Sequence, residues 1–195
     1  MTFNLSRAAL LGVAFALTCP AHAQGPRATE RGASVSKTNM ENGKLAGEDR
    51  KFMETVARDN LTAAQAGKLA QSRSSNERVR KLGQMMEDDH DKANKDLQKI
   101  AESRSVTLPG HPDGSQEKLL RKLHGKSGAE FDQLFVQEAV KDHKKAQKLF
   151  EKTQKDAQDP DVKAFAERSL PAITAHLDMA RSISSGGSAN ARAGN

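Results

Sequence analysis

The sequence predicts an all-α protein, and three observations carry that prediction. Apolar residues recur at steps of three and four along four long stretches, as they do on helices that turn one face to a core. Helix-breaking and helix-starting residues separate those stretches, with Pro109, Gly110, Pro112 and Gly114 the densest group. In three of the four stretches one histidine interrupts the inward apolar row. His90 lies among Val79, Leu82, Met86, Ala93, Leu97 and Ile100; His143 among Val136, Ala139, Ala146 and Phe150; His176 among Val162, Ala166, Ile173, Ala180 and Ile183. Three helices therefore each aim one imidazole inward.

The first 23 residues have a different character. Arg7 precedes an apolar run from Ala8 to Leu17, and Ala21-His22-Ala23 has the small-x-small form that a signal peptidase cuts. A signal peptide over 1–23 and a periplasmic or secreted mature chain starting near Gln24 are expected. The run is about ten residues, against roughly 20 for a helix that spans a bilayer, so no transmembrane segment is expected in the mature chain. The only cysteine, Cys19, lies inside the signal, and Ala16-Leu17-Thr18 before it matches a lipidation motif poorly. An exported fold without disulfides must rest on its helical core.

The 195 residues, 36% apolar and 29% charged, suit one domain with solvated tails. Removing the signal takes away Arg7 and no acid, leaving 30 basic against 25 acidic residues, a mild excess. Lys141, Lys144, Lys145, Lys148, Lys152 and Lys155 share one helix face, which could meet an anionic envelope polymer or envelope protein; a solvated outer face is the plainer reading. Nucleic-acid binding is not expected: the chain has no Trp or Tyr, the phenylalanines of the mature chain fall in apolar rows, and no binding motif occurs.

Residues 24–46 are too polar to order themselves and read as a disordered tether. The first helix runs from about Glu48 to Ala70, with Phe52, Val56, Ala63 and Ala70 inward and Glu48 and Asp49 near the positive end of its dipole. Small residues in its second half, among them Gly67, allow close approach of a neighbour. The second helix opens at a capping box, Ser74-Ser75-Asn76-Glu77, and reaches about Ser103. A long connection follows, with a short helix from Ser115 to Leu123. The third helix opens at a second box, Ser127-Gly128-Ala129-Glu130, and ends near Ala157. Asp159 caps the fourth, Pro160 takes its first turn, and Pro171 leaves the Glu167 carbonyl without its helical donor. The bundle domain should span 47–184, with a disordered tail over 185–195.

Two short connections and one long crossover between the second and third helices predict a ferritin-like four-helix bundle. Each histidine lies about 15 residues into its helix, so the three imidazoles share one level whichever way the helices run. Convergent imidazoles point to Zn, Fe or Cu, and Glu87, three before His90, would add a carboxylate on the same face. A di-iron bundle needs further carboxylates: Ile173 stands three before His176, and Ala63 and Ala64 occupy the middle of the first helix, so no ferroxidase is expected. The other reading keeps the histidines as neutral buried donors to Glu87, Glu138, Asp142 or the Glu167 carbonyl. Nucleophilic catalysis lacks support: no Gly-x-Ser-x-Gly elbow, phosphate loop or mature cysteine occurs.

DNLTAAQAGKLA at 59–70, MMEDDHDKAN at 85–94, SGAEFDQLFV at 127–136, VKDHKKAQKLF at 140–150 and SLPAITAHLDMA at 169–180 together resemble the exported bacterial proteins grouped as domain of unknown function 4142. The resemblance covers about Arg50 to Ile183. It implies an envelope-associated, ferritin-like helical bundle and transfers no activity. Members commonly carry Glu where Ala63 stands here, a departure that weakens any inherited metal site. Two functions are carried forward: a non-enzymatic envelope binding or interaction protein, in the context of stress tolerance, and a metal-binding bundle with His90, His143, His176 and Glu87 as ligands.

Overall fold

The computed structural model describes residues 45–192, with side chains to residue 186. The expected signal peptide and nearly all of the expected tether therefore lie outside the described residues. Five helices and no strand occur among the described residues: α1 (Gly47–Arg73), α2 (Glu77–Ser103), α3 (Gly114–His124), α4 (Gly128–Asp156) and α5 (Pro160–Arg192). The protein is an all-helical bundle.

Helix starts follow from local chemistry, with two corrections to the expected caps. At α2 the cap is Asn76, whose Oδ1 accepts from the Arg78 amide at 2.9 Å, while Ser74 Oγ accepts from the Asn76 amide one step earlier. Before α4, Ser127 makes no side-chain capping bond, and Glu130 turns outward to Lys126 at 2.9 Å. An exposed lysine competes there with the backbone for the same carboxylate. The reciprocal box is found instead at α3: Asp113 accepts from the Ser115 and Gln116 amides, and Gln116 Oε1 accepts from the Asp113 amide. Asp159 caps α5 as expected, accepting from the amides of Asp161 and Val162. That helix passes through Pro171 and continues to Arg192, so the tail expected from residue 185 is helical over most of its length.

Two apolar clusters hold the bundle, one toward each end. The first gathers Phe52, Met53 and Val56 of α1, Leu97 and Ile100 of α2, Phe150 of α4, and Val162, Phe165 and Ile173 of α5. Its aromatic centre is Phe52, edge-on to Phe150 with ring centroids 5.0 Å apart. The second gathers Ala66 and Ala70 of α1, Val79, Leu82 and Met86 of α2, Leu123 of α3, Phe131 and Phe135 of α4, and Ala180 and Ile183 of α5. Each large side chain in either cluster contributes about 1.5–3 kcal/mol by leaving water. The start of α1 lies with the end of α2, and the end of α4 with the start of α5. Each hairpin is thus antiparallel.

Two close contacts lock the helix pairs. A Cβ added at Gly67 would lie 2.4 Å from the Gly83 carbonyl oxygen, so α1 and α2 cross at a distance that only glycine permits. At the other end the buried Asp49 carboxylate accepts from the amides of Gln158 and Asp159 at 3.0 and 2.8 Å, pinning the first turn of α1 to the α4–α5 link. Asp49 therefore does more than face its own helix dipole. Arg104 completes that end with ion pairs from the end of α2 to Asp159 and Asp161 at 2.6 and 2.7 Å.

Candidate metal centre

Between the two apolar clusters lies a polar level built from four helices. His90 of α2, His143 of α4 and His176 of α5 meet there, with ligand nitrogens all within 4.8 Å of one another. His143 and His176 are buried, at 4% and 1% exposure, and His90 is half-buried. His90 Nε2 lies 3.4 Å from His143 Nε2, which lies 3.2 Å from His176 Nδ1. Tetrahedral bonds of about 2.1 Å would place neighbouring nitrogens about 3.4 Å apart, so two of the three edges already match.

The outward nitrogen of each ring decides what the inward one offers. His143 Nδ1 donates to the Ala139 carbonyl at 2.9 Å, one turn back on its own helix. His176 Nε2 donates to the Asp89 carboxylate at 3.0 Å, and His90 Nδ1 donates to Asn60 Oδ1 at 2.9 Å. A neutral imidazole carries one N–H. With that hydrogen spent outward on all three rings, His90 Nε2, His143 Nε2 and His176 Nδ1 present bare lone pairs to one another. No proton remains to bond any pair of them, and a cation at their centre would satisfy all three. An outer acceptor fixing the tautomer of a metal-binding histidine is the usual form of such a site.

The rings are held neutral. Burial first, then the neighbouring His143 and His176, pushes His90 well below the ordinary imidazole range. Burial and the adjacent His176 lower His143 to about 4, against the opposing bond to the Ala139 carbonyl. Burial also lowers His176, although the Asp89 carboxylate pulls it upward. Neutral imidazoles at physiological pH are the metal-ligating form.

Of the sequence-predicted residues, the three histidines converge and Glu87 does not join them. Its carboxylate accepts from Gln71 of α1, on the seam between α1 and α2. The partners expected for neutral histidines also differ from those found. Glu138 pairs with Lys141 and Asp142 with Lys145 on the surface of α4, while Asn60, Asp89 and the Ala139 carbonyl take the ring N–H groups. Asn60 was legible in principle, because it continues the inward row Phe52, Val56, Asn60, Ala64 at steps of four. Asp89 is exposed on α2, and nothing in its spacing marks a reach across to α5. The lysine face of α4 is mixed rather than uniformly basic: Lys141, Lys145 and Lys152 pair with Glu138, Asp142 and Asp156 of the same helix.

One side of the trio opens on a cavity of about 270 Å³ lined by both His90 and His176. Its walls are apolar at Val56, Phe150, Phe165 and Ile173, and carry Lys92 and Arg168 beside Asp59, Asp89 and Asp96. Asn60 also lines it, and the Asn60 Nδ2 group is buried without an acceptor.

Fold and site together define an all-helical bundle with three tautomer-fixed histidines at its middle level. The chain belongs to the family described as Domain of unknown function (DUF4142), whose model matches residues 34–183. No curated protein and no solved structure gives a significant match. Among the described residues no helix is long and apolar enough to cross a membrane.

Proposed function

We propose that this protein is an exported, ferritin-like binding protein whose ligand is a transition-metal ion held by His90, His143 and His176. The observation that carries the reading is the set of three inward lone pairs left by three outward N–H bonds. A purely structural trio would gain by turning one N–H toward a neighbouring ring, and acceptors on the outside of all three prevent it. An all-nitrogen ligand set without thiolate or carboxylate favours Cu(II) and Zn(II) over Mg or Ca. A catalytic carboxylate pair is not part of the reading. With Glu87 on Gln71, Ala63 in the middle of α1 and the Asp89 carboxylate taken up by the outward nitrogen of His176, the described ligand cluster is the three histidines without a carboxylate.

The ferritin-like topology is supported by the packing of the helices. α1 packs mainly on α2 and α4 on α5, and α3 runs along α1, with Gln116 Nε2 donating to Asp59 at one end and Arg73 meeting His124 at the other. Export to the periplasm or beyond is supported by Arg7, the apolar run Ala8 to Leu17 and the Ala21-His22-Ala23 site.

The test is element analysis of protein purified without an affinity tag and dialysed against Zn(II) or Cu(II). One retained equivalent is expected, lost in His143→Ala with helix content unchanged. Substoichiometric metal in the native chain under those conditions overturns the reading.

A further inference from the structure

The lysine face of α4 spends three of its six lysines on acids of its own helix, and a less opposed cationic surface lies on α3. Between Gly114 and Lys126 stand Lys118, Arg121, Lys122 and Lys126 against Glu117 alone, while Asp113 is spent on the cap at the far end of the helix. Lys126 turns to Glu130, and Glu117 meets Arg121 at 3.5 Å between two exposed side chains, a pair worth little. Lys118 and Lys122 are exposed and have no ion pair among the described residues. Only Leu123 of this helix is buried; Leu119 and Leu120 are half-buried.

Beside the helix runs an open groove of about 470 Å³, walled by Lys68, Leu69 and Ser72 of α1 and by Leu120, Arg121 and His124 of α3. Leu69 and Leu120 each rest one side on the second apolar cluster and leave the other in the groove. Lys68 and Arg121 stand on the two opposite walls, and Arg73 is held nearby by its bond to His124 at 3.1 Å. No carboxylate lines the groove. Cationic walls over an apolar floor match a ligand with an anionic head and an apolar body.

We infer that α3 and the groove between α1 and α3 dock on an anionic phospholipid surface, one lipid seated with its phosphate toward Lys68 and Arg121 and its first acyl carbons on Leu69 and Leu120. Lys118 and Lys122 then meet neighbouring headgroups. Each Lys or Arg near an anionic lipid surface tightens binding about fivefold, and a helix that carries cations beside apolar residues is the form that lies in such an interface. The groove falls within the usual size range of small-molecule sites. A soluble polyanion would match the walls and waste the floor, so the leucines are what select a lipid. This inference is independent of the metal reading.

The test uses the mature chain from Gln24, without an affinity tag and with a chelator present, so that neither the apolar run Ala8 to Leu17 nor a bound metal contributes. Co-sedimentation should show saturable binding to vesicles of phosphatidylglycerol and phosphatidylcholine, and none to phosphatidylcholine alone. Lys68→Glu with Arg121→Glu should weaken binding about twentyfold or more. Lys144→Glu with Lys148→Glu makes the same change of net charge on α4 and should weaken it at most about threefold. Leu69→Ala with Leu120→Ala should weaken vesicle binding about threefold or more and leave polyglutamate binding unchanged, with helix content checked by circular dichroism. The charge-reversed pairs decide the matter if the alanine variant unfolds. Absent vesicle binding, or an equal loss in both charge-reversed variants, overturns the inference. Polyglutamate bound as tightly as the vesicles also overturns it, in favour of an acidic polymer or protein.

Discussion

The two apolar ends of the bundle and the polar level between them are held by different physics. At the ends, Phe52, Leu97 and Phe165, or Leu82, Phe131 and Phe135, gain stability by leaving water in any close-packed arrangement. In the middle, His90, His143 and His176 gain little from burial and depend on specific acceptors: Asn60 for His90, the Ala139 carbonyl for His143, and Asp89 with the Met85 backbone for His176. The ends tolerate a change of shape at a graded cost; the middle tolerates no change of partner. What the difference teaches is that the ends make the bundle and the middle makes it particular. Leucines at the middle level would need no such partners, so the histidines bring a demand for specific acceptors that an apolar core does not make.

That contrast can be broken or sharpened by four measurements. The largest effect belongs to the ends: Leu82→Ala or Phe165→Ala should lower stability by about 3–5 kcal/mol in urea unfolding, with metal stoichiometry unchanged in the population that remains folded. An equal loss of bound metal would show that ends and middle are not separable.

Acidification should act on the middle through its three histidines. The His143 imidazole is lowered to about 4 in the folded chain from 6.5, so between those values the unfolded chain holds a proton that the folded chain does not. The stability this group contributes is complete above pH 6.5 and is lost as pH falls toward 4, on the order of 3 kcal/mol for His143. His90 and His176 are displaced in the same direction. Apo protein in which all three are replaced by leucine should lose this part of the pH dependence, as read from urea midpoints at pH 7 and pH 4.5. An unchanged slope would show that other groups set the acid limit.

Next in size is the outer acceptor of His176. Asp89→Ala should weaken metal binding about 10–100-fold in a competition titration with a chromophoric chelator, because the ring loses its fixed tautomer. The aspartate side chain is nearly half exposed, so the fold itself should change little. Smallest is the surface: Lys144→Glu with Lys148→Glu should move stability by less than about 0.5 kcal/mol and leave metal binding unaltered. A binding loss there would transfer attention from the middle level to the outer face of α4.

The helices were legible in the sequence because apolar spacing at three and four repeats for many turns, and the three histidines stood out as gaps in those rows. Their shared level followed from equal distance along helices of similar length. The partners of the histidines were not legible. Asn60 fills an apolar row as the histidines do, yet a single amide is easily passed over, and Asp89 lies on the solvent side of α2 and reaches His176 only once α5 is in place. Glu87 shares the spacing of a metal-binding pair with His90, but spacing along one helix says nothing of a competitor on another, and Gln71 is nearer. The expected cap at Ser127 failed for the same reason, with Lys126 holding Glu130. Local pattern shows which way a side chain faces; the neighbour that claims it depends on how the helices assemble.

The ligands are divided unevenly between the two hairpins, with His90 on α2 and the other two rings on α4 and α5. A chain whose hairpins have formed but not yet docked carries at most two of the three nitrogens in place. Tight binding would then mark the moment the halves close, and an ion present during refolding would act as a clasp that rewards correct docking and is indifferent to everything before it.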